Sequence, residues 1–127
     1  MTRELGALAL LLVSQSTPPT KDPVATDGDK YRVIFENERV RVLSYTDRPG
    51  ERTHEHQHPA FVLYALAPFK RKLVLHDGSE RVREFKAGDV LYSAGETHVG
   101  VNVGDTPTQV VIVELKEPGA RPAEQRE

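Results

Sequence analysis

The chain of 127 residues reads as one all-β domain, a two-sheet sandwich or barrel whose strand count suits a jelly roll. Three observations carry this reading. Between Lys30 and Lys116, short β-branched, aromatic or alternating runs recur about every ten residues, each bounded by turn residues. No stretch there repeats its apolar residues at helical spacing. The intervals are also too short for the crossovers that parallel strands need, about a dozen residues or more each.

The elements follow in order. "YRVIFE" (31–36) is stopped by the turn residue Asn37. "RVRVLSYT" (39–46) sets Arg39, Arg41, Leu43 and Tyr45 against Val40, Val42 and Ser44, two unlike faces of one strand. Pro49-Gly50 turns the chain into "THEHQH" (53–58), which ends at Pro59. "FVLYAL" (61–66) runs to Ala67-Pro68. "KRKLVLH" (70–76) meets Asp77-Gly78, a hairpin signal, and "ERVREF" (80–85) leads to Ala87-Gly88-Asp89. "VLYS" (90–93) breaks at Ala94-Gly95, and "THVGVNV" (97–103) at Gly104-Asp105-Thr106-Pro107. "TQVVIVEL" (108–115) is the last run.

The flanks differ in composition. Arg3, the apolar run Leu5–Val13 and the small residues Ser14 and Ser16 have the layout of a signal peptide over 1–16, cleaved after Ser16. The run is far too short to span a bilayer. A short packed helix or frayed terminus is the competing reading. With a cleaved leader the protein is exported, periplasmic or extracellular, and holds no membrane segment after processing; otherwise it is cytoplasmic. Residues 17–29 read as a linker or N-terminal arm, and 117–127 as a disordered tail.

Hydrophobic residues make up 38% and charged residues 28%, enough for one modest core. The net charge of -2, with both signs interspersed, lacks the one-sided basic face of a nucleic-acid binder. Zero cysteines remove disulfides, thiolate metal sites and a thiol nucleophile together.

Histidine is what remains for chemistry. "RTHEHQHPAF" (52–61) holds three of the five histidines, His54, His56 and His58. On a strand, residues two apart share a face. Neutral imidazole binds Zn, Fe, Ni or Cu, so two such side chains converge on one cation. His98, in a later strand, is the natural third ligand. His54 is a fourth ligand, a group on the rim, or a base behind the others.

Two segments resemble the paired motifs of the cupins, a superfamily of small double-stranded β-helix jelly rolls. Gly50, five residues, then His56-Gln57-His58 matches the first motif with His56 and His58 as the pair. Gly88, then Gly95-Glu96-Thr97-His98 and Asn102, matches the second, with Ser93 where proline is usual. The likeness runs from about Tyr31 to Leu115. It is nearest to small single-domain cupins, including those named β-alanine degradation proteins, in "HPAFVLYAL" and "GDTPTQVVIVEL". It implies one divalent ion (Fe, Zn, Mn or Ni) on His56, His58 and His98. The glutamate of the first motif falls at Val62 or Leu63, so three histidines stand alone, as in cupins that hold iron by histidine. Pairing through N-terminal strands, a homodimer, is implied too.

Other residues carry narrower expectations. Tyr64, Glu96 and His54 are the candidate acid or base groups; Tyr64 and Tyr92 also read as half-buried sheet aromatics. Asn102 satisfies backbone groups, Gly95 marks a positive φ or close approach, and His76 is an exposed hairpin residue. An arginine of "RVRVLSYT" or "ERVREF" is a candidate for an anionic substrate at the pocket mouth. The functional expectation is a metal-dependent enzyme, dioxygenase-like or a lyase or isomerase, on a small organic molecule. The alternative is a noncatalytic small-molecule or metal-binding module.

Overall fold

The computed structural model describes residues 21–116. The signal-peptide reading of 1–16 and the tail reading of 117–127 lie outside the described residues. Nine strands follow one short helical turn. They are α1 (Pro23–Thr26), β1 (Tyr31–Glu36), β2 (Val40–Asp47), β3 (His56–His58), β4 (Phe61–Ala65), β5 (Phe69–Leu75), β6 (Glu80–Phe85), β7 (Val90–Ser93), β8 (Glu96–Asn102) and β9 (Thr108–Leu115). Two antiparallel sheets result, β1-β2-β9-β4-β7 and β3-β8-β5-β6. Sequence neighbours β3 and β4 lie in different sheets, so the chain winds between layers as a jelly roll does.

Alternation explains which side chains enter the space between the sheets. Leu43 and Tyr45 on β2 and Thr108, Val110 and Ile112 on β9 are buried, with Gln109 exposed between Thr108 and Val110. Phe61 and Ala65 on β4 and Phe69 on β5 join them, and Tyr31 starts β1 from inside the same core. Each such side chain is worth about 1.5–3 kcal/mol of burial, enough to hold the two layers face to face.

Two departures from the sequence expectation matter. Within the segment read as linker or arm, residues 21–29 pack on the domain: Gln57 N–H donates to the Lys21 carbonyl at 2.7 Å, and Pro23 and Asp27 are buried. Pro23 presets the first helical turn, and Asp27 finds polar partners inside, which composition cannot foretell. Secondly, "THEHQH" is a strand only from His56 to His58. Thr53 and His56 are both buried, with two residues between them rather than one. The alternation slips there, and His54 faces outward.

Gly95 supports the next strand start. Its φ is +109°, and a Cβ there would lie 2.9 Å from the His58 carbonyl oxygen. Only glycine allows that turn so close to β3.

Candidate metal centre

β3 and β8 pair antiparallel with His56 opposite His98 and His58 opposite Glu96. Directly opposed residues on one face have Cβ atoms about 4.5–5.5 Å apart. Four side chains, His56, His58, His98 and Glu96, thus form the corners of one patch on the inner face. One ring nitrogen from each histidine lies within 4.8 Å of the others, and all three residues are buried.

The remaining nitrogens fix the tautomers. His56 Nδ1–H donates to the His54 carbonyl at 3.0 Å. His58 Nδ1–H donates to Glu114 Oε2 at 3.3 Å, and His98 Nδ1–H to Glu96 Oε2 at 2.7 Å. Carbonyl and carboxylate oxygens accept only, so each Nδ1 carries the proton and each Nε2 keeps its lone pair. That is the arrangement in which a histidine binds a metal, its other nitrogen tied to an oxygen behind it.

The electrostatics favour neutral rings. Burial pushes His56 down to about 2, with the His58 and His98 rings adding to the effect. Burial also lowers His98, although the bond it donates to Glu96 opposes this. The hydrogen bond from His98 holds Glu96 below the usual carboxylate range. Three imidazoles with converging Nε2 lone pairs fit a divalent ion of the Zn, Fe, Ni or Mn kind and leave coordination positions open on the cavity side.

Groups behind the ligands were not legible as such. Glu114 is buried on β9, where it lies on the inward parity of Val110 and Ile112. Its Oε1 accepts from Arg41 Nε at 2.9 Å, and Arg41 reaches Asp22 at 2.5 Å. The parity of "VVIVEL" was the one available signal. Asp27 lies beneath the other end: His54 N–H and His54 Nδ1 donate to it at 3.1 and 3.0 Å, and His56 Nδ1 is 3.9 Å away.

A cavity of about 60 Å³ opens from the patch into the core. Phe61, Leu63, Phe69 and Phe85 supply apolar wall; besides the histidines, Tyr31, Tyr45, Arg71, Arg83, Glu96 and Thr108 are its polar members. The Tyr31 hydroxyl donates to His56 Nε2 at 3.3 Å, and burial pushes its pKa well above the usual tyrosine range.

The candidates separate on this geometry. His56, His58 and His98 come together. His54 does not: its ring is 80% exposed and turned to Asp27, because the strand alternation slips before it. Tyr64 lies on the outer face of β4, 45% exposed, since Phe61, Leu63 and Ala65 take the inward parity. Tyr92 is likewise exposed. Glu96 reaches the site but is spent on His98, so it orients a ring. Asn102 donates to the Thr106 carbonyl at 2.9 Å and accepts from Gly104 N–H at 3.0 Å, serving backbone groups as expected. His76 is exposed beside Glu55. Of the arginines in the two alternating strands, Arg83 reaches the cavity mouth and Arg41 is paired behind it.

Two sheets around a histidine-lined cavity define a double-stranded β-helix protein, and solved structures of that kind resemble it. A cupin domain from Bordetella pertussis is 26% identical, with a TM-score of 0.63, over 68% of this chain and 92% of that one. A cupin 2 conserved barrel protein from Salinispora arenicola is 27% identical, with a TM-score of 0.52, over 69% and 76%. The polyketide cyclase RemF from Streptomyces resistomycificus is 22% identical, with a TM-score of 0.53, over 71% and 66%. The chain has the cupin fold, and these neighbours support a place in the cupin superfamily. No family model matches the chain, and no curated protein matches it.

Proposed function

We propose that this protein is a metal-dependent cupin enzyme. One divalent ion on His56, His58 and His98 acts on a small organic molecule in the adjoining cavity, in dioxygenase-like or lyase or isomerase chemistry. The observation that carries the reading is the uniform tautomer: three buried rings, each Nδ1–H spent on an oxygen, each Nε2 left as the acceptor side of its ring, with His56 Nε2 taking the Tyr31 hydroxyl. Bound there, an ion polarises a carbonyl or carboxylate, and a redox-active one adds oxidation chemistry.

The chain's own residues supply the rest. Glu114, Glu96 and the His54 carbonyl hold the rings in place and raise their basicity. The apolar wall limits water. Tyr31 replaces Tyr64 and Glu96 as the proton-bearing group, because its hydroxyl is buried beside His56. With the His56 Nε2 lone pair given to a bound ion, the Tyr31 O–H would be left to donate to a molecule in the cavity.

The resemblance to cupins named for β-alanine degradation supports a small organic acid as substrate. A second reading, a noncatalytic binding module, is favoured by the lack of an uncommitted carboxylate among the described residues lining the cavity. We also propose a homodimer through β1, where Val33, Ile34 and Phe35 are 38%, 49% and 55% exposed on an edge strand. The leader over 1–16, and with it export, stays part of the proposal.

The test loads the purified protein with Fe(II), Zn, Mn or Ni in turn. It then measures oxygen uptake and turnover across small acids, diketones and thiols. Metal-dependent turnover that vanishes in His98→Ala supports an enzyme. Stoichiometric metal with no turnover across the panel favours the binding module.

A further inference from the structure

Resting on the metal reading of the same cavity, we propose that Arg71 is a second anchor there. It grips the carboxylate of a short anionic substrate whose other end faces the histidines.

Arg71 lies on β5 with its side chain 11% exposed, and it lines the cavity with His58 and His98. A guanidinium carries five N–H donors in a planar fork. Nη1 donates to Asp47 Oδ2 at 3.0 Å and Nη2 to the Tyr45 hydroxyl at 3.2 Å. Among the described residues these are its hydrogen bonds, so three N–H groups are unspent in a mostly apolar space. Asp47 offers no spare capacity, because it also accepts from Tyr45 at 2.5 Å, from Asn102 at 3.0 Å and from Thr108. Unpaired buried donors are costly, and a carboxylate satisfies two of them at once in a matching fork.

Its position relative to the histidines is set by a glycine. A Cβ on Gly100 would lie 2.1 Å from Arg71 Nη2, so β8 gives up a side chain where the guanidinium rests. Gly100 is two residues beyond His98 and shares its face of the strand. The cation therefore lies one inward position along β8 from a ligand histidine. Tyr31 and Tyr45, ring centroids 4.5 Å apart, fill the space between Arg71 and His56. At about 60 Å³ the cavity is small, which limits the substrate to a short chain. A short-chain acid with one further oxygen-bearing group fits these demands. Neutral molecules leave the arginine unanswered.

The experiment uses the full chain with and without Co(II), titrated with malonate and with propionate. The visible spectrum reports the metal, and the Arg71 Nε–H signal in the NMR spectrum reports the anion. The expected result is a shift of that signal by malonate and about tenfold tighter binding of malonate than propionate. Arg71→Lys removes the preference, and so does Gly100→Ala, which displaces the fork with its charge intact and serves if the lysine variant does not fold. Both variants keep the Co(II) spectrum. If the preference survives in the variants, or is lost in Arg83→Met instead, the anchor is wrong while the metal site stands. If Co(II) does not bind, the metal reading fails. The Arg71 signal of the metal-free protein then decides the anchor alone: a malonate shift supports it, and no shift overturns it.

Discussion

Ring nitrogens decide the function at the residue scale. Glu114 illustrates how a ligand depends on what lies behind it. Glu114→Gln keeps a polar side chain but weakens the acceptor for His58 Nδ1–H, and we expect metal affinity to fall about tenfold to a hundredfold, read by competitive chelator titration. The neutral rings also predict a pH dependence for the metal-free protein. Unfolded His56 takes up a proton as pH falls through about 6.5, while in the folded protein it resists down to about 2. Acid therefore favours the unfolded chain. The stability from His56 is fully present above about pH 6.5 and declines below it, by about 1.4 kcal/mol per unit for this ring, with His98 shifted the same way. Urea midpoints at pH 7.5, 6 and 5 check this; equal midpoints contradict it.

Among the elements, β3 and the β7–β8 turn packed against it carry most of the constraint. Gly95 combines a φ of +109° with close approach to the His58 carbonyl. Gly95→Ala is expected to cost about 1–3 kcal/mol in denaturant melts and to loosen His58 with it. The same region shows what a sequence can disclose. The spacing from Gly50 separates His56 and His58 from His54, and the structure turns His54 outward through a slip in alternation that spacing does not display. Strand positions were legible because turn residues punctuate them. Cross-sheet partners were not. Glu114, Asp27 and Arg71 find their roles through strand pairing and an arm that packs back, neither written in local pattern. Tyr64 failed as a candidate for a readable reason: Phe61 and Leu63 already claimed the inward parity of β4.

At the scale of the whole molecule, the two sheets enclose a cavity with histidines at one wall and an arginine along the next strand position. Among the described residues β1 is an edge strand. A charged side chain there blocks a second copy without touching the site, so Ile34→Lys is expected to convert a dimer to a monomer by light scattering with metal content unchanged. A wild-type monomer removes the dimer proposal alone. The most direct test of the account is metal stoichiometry in binding titrations with Co(II) and Zn(II). We predict about one ion per wild-type chain, unchanged in His54→Ala and lost in folded His56→Ala and His98→Ala. A wild-type protein that binds neither ion, or histidine variants that bind as the wild type does, contradicts it.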